Sequence, residues 1–423
     1  ASALLACLDD AEAEVLSACS RQLAELKEEM APNRSKPHHL RHATESVPAL
    51  MSRRPTVVIV GAGCAGAVNA RWFDRWHPEF DLVLVDEKEY HEFTPHLTRT
   101  RVCSGEVNER IRVPHNEYVR RGTVLVDSCQ QVMPDHIRIG SSASEGQIVP
   151  FDYLMINTGS SYKENVKALT PSLDYRLRQM EAERRALAAA KRVVIIGGGR
   201  TAMETAGDVH DTWPNKEIII VVRSTLFRKS GSVAGQVLAQ WWRSRGVRVV
   251  EHEAMLRPAD GALHYTTDKG TQVCEVEGTR AIWCTGRGEP NTWFMPKTSL
   301  DEFGYIRINS HCQVEGFPLG NVFASGDSAF AMAHLQADRS LVSAHVHGFI
   351  SRVNVVDLAQ QAAAGVAPEL RKIKPSKKNT MPWMMDAKLQ ETGFGNEVMS
   401  GCTLGHGRAF FVVGKGIMGG ADL

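Results

Sequence analysis

The chain is 423 residues long, which exceeds one ordinary hydrophobic core and predicts two or three domains. Its 49 lysines and arginines balance 48 acidic residues, so the formal net charge of +1 offers no basic surface for nucleic acid. Hydrophobic residues make up 43% of the chain, which is ordinary for a globular protein. The longest apolar stretches have only the length of strands, which argues against a membrane-spanning helix.

Residues 1–54 are predicted to form a helical N-terminal extension and a linker. The apolar residues of its first part recur at helical spacing and share one face: Leu8, Val15, Cys19, Leu23, Leu26 and Met30. Such a face is an expected docking surface for a protein partner. His38, His39 and His42 follow in a basic, proline-bounded linker, so we interpret them as solvated and predict no metal site.

The stretch VVIVGAGCAG indicates a strand that ends in a glycine-rich turn. The predicted elements are a strand at 57–60, a helix from about 64 to 76 and a strand at 81–86. Gly61, Gly63 and Gly66 form G-x-G-x-x-G between strand and helix, where glycines let backbone N–H groups approach a pyrophosphate. Asp86 ends the second strand, where a carboxylate can accept hydrogen bonds from ribose hydroxyls. The alternative is a glycine-rich turn beside a surface aspartate.

Farther along the chain, VVIIGGGRTA repeats this pattern of a strand followed by a glycine-rich turn. The predicted elements are a strand at 192–196, a helix at 200–212 and a strand at 217–222. Gly197, Gly199 and Ala202 form this second cradle, and Arg223 stands where the first copy has its aspartate. An arginine there can bind a 2′-phosphate that a carboxylate would repel, which favours NADPH over NADH. Alternatively, Arg223 faces solvent in an enzyme that does not distinguish the two.

Two dinucleotide cradles in one chain predict hydride transfer between a nicotinamide and a flavin at a shared centre. Buried strands that end in Thr-Gly, at Thr158–Gly159 and at Gly286, enclose the second unit, as they would enclose an inserted domain. Asp327 follows a third strand and Gly326, a position from which a carboxylate can hold the ribityl hydroxyls of FAD.

The alternation of strands and helices predicts an α/β fold with parallel sheets, made of two Rossmann-like domains of which the second is inserted in the first. We assign residues 55–165 and 303–352 to an FAD-binding domain, 166–302 to an NAD(P)H-binding domain and 353–423 to a small C-terminal region.

The motifs G-x-G-x-x-G, T-G-S, G-G-G-x-x-A-x-E, C-T-G-R and F-A-S-G-D follow in an order that resembles the FAD-dependent pyridine nucleotide oxidoreductases with a glutathione-reductase-like fold. The stretch VDEKEYHEFTPHLTRTRV is similar to the type II NADH dehydrogenases and to the apoptosis-inducing-factor-like group that includes ferroptosis suppressor protein. The resemblance implies that Lys88 and Arg99 join the cofactor-binding residues, with Arg99 near the flavin. It also implies that Glu204 lies near the nicotinamide and that Lys163 reaches the flavin edge. Glu204 equally fits a first-turn carboxylate that favours the helix dipole.

The predicted reaction is a ping-pong oxidation of NAD(P)H followed by two-electron reduction of a small molecule, expected to be a quinone. The nine cysteines form no C-x-x-C pair, which indicates a reducing compartment. The C-x4-C of disulfide reductases is also missing, and Cys103 stands alone in that region, so we expect electrons to leave the flavin directly. The A-Q-x-A-x-Q quinone motif of type II NADH dehydrogenases is missing too, since SLVSAHVHGF keeps only Ala344.

An alternative function is a catalytically weak or inactive subunit of a larger organellar assembly, with the N-terminal helix as its docking element. Near the C-terminus, RKIKPSKKNTMPWMM (371–385) joins a basic run to tryptophan and methionine. This segment fits either a peripheral contact with an anionic membrane surface or a solvated loop beside the core. We therefore expect an intracellular protein, mitochondrial or cytoplasmic, at the periphery of a membrane.

Overall fold

The computed structural model describes residues 53–103, 105–142, 144–162, 167, 170–228, 232–252, 255–256, 263–267, 270–274, 278–285, 288–331, 341–367, 370–372, 399–405, 408–413 and 416–419. The predicted N-terminal helix, its linker, Lys163, Gly286 and most of the basic segment at 371–385 lie outside the described residues.

The strands, numbered along the chain, are β1 (Thr56–Val60), β2 (Asp81–Asp86), β3 (Tyr90–Glu92), β4 (Arg112–Pro114), β5 (Thr123–Val126), β6 (Cys129–Val132), β7 (His136–Ile139), β8 (Gln147–Pro150), β9 (Tyr153–Ile156), β10 (Ser160–Ser161), β11 (Arg192–Ile196), β12 (Glu217–Val222), β13 (Arg248–Glu251), β14 (Met255–Leu256), β15 (Leu263–Thr267), β16 (Gly270–Cys274), β17 (Thr279–Trp283), β18 (Glu289–Pro290), β19 (Ile306–Ile308), β20 (Val322–Ala324), β21 (Ala329–Ala331), β22 (Met399–Thr403), β23 (Ala409–Val413) and β24 (Gly416–Gly419). The helices are α1 (Cys64–Trp76), α2 (Leu97–Thr100), α3 (Gly105–Arg110), α4 (His115–Tyr118), α5 (Leu173–Ala189), α6 (Arg200–Thr212), α7 (Ser232–Ser244) and α8 (Leu341–Ala364).

Five parallel strands in the order β20–β9–β1–β2–β5 form the first sheet. Its central strand β1 pairs with β2 on one side and β9 on the other, and Val57 to Val60 are fully or almost fully buried. A continuous apolar run suits a parallel strand that is covered on both faces. Helix α1 packs on this sheet, and α8 packs on α1.

Four parallel strands in the order β13–β12–β11–β17 form the second sheet. Helices α6 and α7 contribute to its core, which includes the completely buried Trp242. Cys402 of β22, Leu404 after it and Phe410 of β23 join the same core, and β24 pairs antiparallel with β23. The C-terminal strands therefore belong structurally with the second sheet.

The chain crosses between the two sheets twice, once after β9 and once after β17. The two crossings are joined to each other, because β10 on the outward path pairs antiparallel with β18 on the return path. The antiparallel meander β6–β7–β8 lies between β5 and β9 along the chain. The pairing of β10 with β18 holds the two crossings together close to the carboxyl ends of β9 and β17.

The mixed α/β class with parallel sheets is confirmed, and the predicted bounds of the first helix, the second helix and the strand at 192–196 match α1, α6 and β11. Within the described residues, no helix combines the length and apolar character needed to cross a bilayer. In the same part of the chain, no cluster of three or more histidine, cysteine or acidic side chains is arranged to hold a metal ion.

Candidate functional site

A cavity of about 820 Å³ lies where the two parallel sheets meet. The first sheet contributes the loop after β1, Asp86 at the end of β2, the segment after β9 and the residues that follow β20. The second sheet contributes the first turns of α6 and the end of β17, from Trp283 to Thr285. In open parallel sheets, ligands bind outside the carboxyl ends of the strands, so this cavity is the expected ligand site.

The first glycine loop is shaped by close backbone contacts. Gly61 has φ +90°, and a Cβ there would lie 2.7 Å from the backbone of Asn157. A Cβ on Gly66 would overlap the carbonyl oxygen of Gly61. Gly63 is the N-cap of α1, and no described side chain caps that helix. The N–H groups of the first turn are thus available to an anion, as a pyrophosphate site requires.

Asp86 is buried at the end of β2 and is held in the ionised form. It accepts hydrogen bonds from the backbone N–H of Ala62 at 2.5 Å and of Lys88 at 2.8 Å, and the Lys88 ammonium lies 3.2 Å away. Burial opposes ionisation, but Lys88 and these hydrogen bonds outweigh it and lower the pKa of Asp86. His115 lies 4.0 Å away, yet burial lowers its pKa to about 4, so Lys88 supplies the charge that balances this carboxylate.

The second glycine loop repeats the backbone geometry of the first. Gly197 has φ +132°, and a Cβ there would lie 2.5 Å from the carbonyl oxygen of Cys284. Gly199 is the N-cap of α6, and Ala202 is completely buried in the helix. Arg223 follows β12 as an exposed residue. None of these four predicted residues lies on the described cavity wall, to which the second sheet contributes residues from the start of α6 and the end of β17.

Glu204 lies on the cavity wall, one turn into α6. Burial raises the pKa of its carboxyl to about 7, Asp208 adds to the rise, and Arg200 opposes it. Arg200 begins α6 and also lines the cavity. Their spacing of four residues on one helix face is visible in the sequence, which could have identified Arg200 as a site residue.

Lys167 is a site residue that the sequence did not identify. Its ammonium lies on the cavity wall and donates to the carbonyl oxygen of Ser160 at 3.0 Å and to the Ser160 hydroxyl at 3.1 Å. It also lies 3.4 Å from Asp327 Oδ2, which accepts a hydrogen bond from the Ser160 hydroxyl at 3.0 Å. Lys167 is the lysine that the described structure brings to Asp327, and the predicted role of Lys163 at the flavin edge stays a prediction because that residue lies outside the described residues.

Two cation–carboxylate pairs therefore line the described part of the cavity, Lys88 with Asp86 and Lys167 with Asp327. Arg200 adds a cation to the wall and lowers the pKa of the Glu204 carboxyl against the effect of burial. The predicted Thr158, Gly159 and Gly326 also lie on the wall, and both glycines have positive φ. This distribution suits a long ligand that carries phosphates and hydroxyls and spans both sheets.

Arg99 does not lie on the described cavity wall, although the resemblance implies that it approaches a flavin. Its guanidinium is 3.8 Å from the carboxylate of Asp208, a buried residue of α6 that needs a compensating positive charge. Cys103 nearby is a half-buried free thiol whose pKa is raised by burial. A role for Arg99 at the cofactor stays a prediction.

Comparison with known proteins gives a family match over residues 55–364, to the model described as pyridine nucleotide-disulphide oxidoreductase. The chain is 25% identical over 329 residues to ferroptosis suppressor protein 1 of Taeniopygia guttata, which covers 72% of this chain and 81% of that relative. Among solved structures, NDH2 from Plasmodium falciparum in complex with NADH matches with a TM-score of 0.56 at 14% identity, over 88% of this chain and 92% of its own. Sulfide:quinone oxidoreductase of Aquifex aeolicus matches with a TM-score of 0.61 at 13% identity, over 86% of both chains. At these identities the two structures establish a shared fold.

Proposed function

The chain belongs to the pyridine nucleotide-disulphide oxidoreductase family, as its motifs predicted, and we propose that it is an FAD-dependent enzyme that oxidises NAD(P)H and reduces a quinone-like acceptor. The observation that carries this proposal is a single cavity lined by the carboxyl ends of both glycine-looped sheets. Direct hydride transfer requires a nicotinamide and a flavin to lie against each other. A cavity between two dinucleotide cradles offers them a common site.

The residues of the first sheet fit FAD. The uncapped first turn of α1 suits the pyrophosphate, ionised Asp86 suits the adenosine ribose, and Asp327 suits the ribityl hydroxyls at the other end. FAD supplies the redox chemistry when bound, taking up hydride and releasing electrons in pairs. We assign residues 55–165 and 303–352 to this cofactor and residues 166–302 to NAD(P)H.

Charged groups on the cavity wall favour the binding of phosphates and the uptake of electrons by the cofactor. Lys167 keeps a positive charge fixed beside Asp327, because three acceptor atoms surround its ammonium. Below about pH 7 the Glu204 carboxyl is neutral, so it does not repel the phosphates of a dinucleotide. Arg200 adds a cation at the start of α6, where the helix dipole is also positive.

The proposed electron donor is NADPH rather than NADH. Arg223 follows the second strand of the second βαβ unit, where the 2′-phosphate of NADPH would lie, and it is exposed and open to a ligand. Arg228 is exposed close by in sequence and adds positive charge. Bidentate binding by arginine suits a phosphate better than a ribose hydroxyl.

The proposed acceptor is a quinone that takes electrons without a redox-active disulfide. Of the two cysteines on the described cavity wall, Cys64 begins α1 and Cys284 follows β17 in the other sheet, and both are free thiols. Burial raises the pKa of Cys64, which disfavours its reactive thiolate. The name of the similar sulfide:quinone oxidoreductase supports a quinone as the acceptor.

A direct test measures flavin content and turnover of the purified full chain. We expect bound FAD after extensive dialysis, and NADPH oxidation that depends on an added quinone when quinones, ferricyanide and oxygen are compared. Bound flavin that is reduced by NADPH but reoxidised only by oxygen would contradict the quinone assignment. A folded chain that neither contains nor takes up FAD would contradict the enzymatic proposal and favour a structural subunit.

A further inference from the structure

Asn291 joins the two segments through which the chain crosses between its parallel sheets. It follows β18 on the return path and lies on the cavity wall. Thr158 and Gly159 lie on the outward path directly after β9, and they share that wall. The outward path starts from a strand of the first sheet and the return path from a strand of the second. Contacts between the two paths therefore influence the relative orientation of the sheets.

Every polar atom of Asn291 bonds to the outward path. Its backbone N–H donates to the Gly159 carbonyl at 3.0 Å, and its carbonyl accepts from the Thr158 hydroxyl at 2.6 Å. In the side chain, Nδ2 donates to the Thr158 carbonyl at 3.0 Å, and Oδ1 accepts from the Ser161 hydroxyl at 2.5 Å. Two donors and two acceptors of a single residue therefore bond to three residues of the other path, Thr158, Gly159 and Ser161.

Close packing reinforces this attachment. The pair β10–β18 lies next to it, and a Cβ on Gly288 would come within 2.7 Å of the Ser160 hydroxyl. Ser160 in turn bonds to Lys167 and Asp327 on the cavity wall. Ser160 lies between Gly159 and Ser161 in the chain, so the residues that Asn291 holds are directly linked to the group that faces the proposed flavin.

We infer that Asn291 is a positioning residue that sets the distance between the nicotinamide and flavin rings. The inference rests on the proposed function and adds a residue outside both cradles. Hydride transfer needs reacting atoms about 3–3.5 Å apart, and a displacement of about 1 Å can lower its rate about 100-fold. The Asn291 side chain touches the crossing segments rather than either glycine loop, so its removal changes the approach of the rings while each cradle keeps its ligand contacts.

The test compares Asn291→Ala with Asn309→Ala in the FAD-loaded full chain. Asn309 is a matched control, since its side chain also holds a local loop, accepting from the N–H groups of His311 and Gln313 and donating to the Gln313 amide. Anaerobic mixing with NADPH gives the dissociation constant of NADPH and the limiting rate of flavin reduction separately. The long-wavelength absorbance of stacked reduced flavin and oxidised nicotinamide reports on ring contact.

For Asn291→Ala we expect unchanged FAD content, an NADPH dissociation constant within threefold of the parent chain, at least a tenfold slower limiting rate, and weakened long-wavelength absorbance. Asn309→Ala should keep the parent rate even where it lowers thermal stability. Ser161→Ala removes one of the four bonds and should slow reduction by a smaller factor, and combining it with Asn291→Ala should add nothing.

An Asn291→Ala limiting rate within threefold of the parent chain would overturn the inference. Loss of FAD or of NADPH affinity in proportion to the rate would also overturn it, because Asn291 would then act in binding. If Asn291→Ala does not fold, a Ser161→Ala rate equal to that of the parent chain overturns it and a slower rate supports it. Failure of NADPH to reduce flavin in the parent chain would instead contradict the proposed function.

Discussion

Replacing Glu204 by glutamine is expected to stabilise the unliganded chain above neutral pH. The carboxyl lies on the cavity wall, where burial is the main cause that raises its pKa from 4.5 to about 7. Asp208 adds to this rise, and Arg200 and the backbone N–H of Thr403 oppose it. Glutamine keeps the shape and polarity of the side chain but carries no charge at any pH.

The size of the effect follows from the shift in pKa. The folded chain binds the Glu204 proton more tightly than the unfolded chain, so this contribution to stability is complete below about pH 4.5 and is lost as the pH rises to about 7. A shift from 4.5 to about 7 corresponds to about 3 kcal/mol, at 1.36 kcal/mol for each pKa unit, before the solvent screening that partial exposure brings. The glutamine variant avoids this loss.

Urea unfolding of the flavin-free chain at about pH 5 and about pH 8 measures the effect. The free energy of unfolding of Glu204→Gln, relative to the parent chain, should be higher at the upper pH by about 1–3 kcal/mol. Glu302→Gln, at an exposed turn residue, is the control for loss of a carboxylate. A relative stability of Glu204→Gln that is the same at both pH values would refute the assignment of a proton to Glu204 near neutrality.

Three further substitutions test the cradles. Gly66→Ala forces a Cβ against the Gly61 carbonyl and should abolish FAD retention. The control Gly105→Ala, whose added Cβ has no described atom within 4 Å, should retain FAD. Equal flavin content in the two variants would contradict the role of the first glycine loop. Asp86→Ala should weaken FAD binding at least tenfold in a fluorescence titration, and unchanged affinity would remove its ribose role. Arg223→Asp should raise KM for NADPH at least tenfold and spare NADH, whereas equal losses would show that it does not bind the 2′-phosphate.

The two βαβ units could be predicted because their signals are local. Runs of valine and isoleucine that end at glycines define β1 and β11, and the helices that follow begin where the glycine N-caps end the turns. Gly61 and Gly197 both have the positive φ that such a turn requires. These local patterns therefore located the strands and helices of the two βαβ units, with bounds correct to within a residue or two.

The cavity wall could be predicted only in part, because it brings together residues that are far apart in sequence. Lys167 lies in a stretch of sequence that shows neither helical nor strand periodicity, so only the folded chain shows that it reaches Asp327, 160 positions away. Asn291 is likewise 133 positions from Thr158, and no local pattern indicates their contact. The contact of Arg99 with the buried carboxylate of Asp208 was not predictable from the short motif either, and its role at the flavin stays a prediction.

The most direct test of the central claim, that one cavity holds both dinucleotides, is anaerobic mixing of the FAD-loaded chain with NADPH while the visible flavin absorbance is recorded. The shared cavity predicts rapid bleaching of the bound flavin, slowed when deuterium replaces the transferred hydrogen of NADPH. A tightly bound flavin that stays oxidised in the presence of saturating NADPH would contradict it.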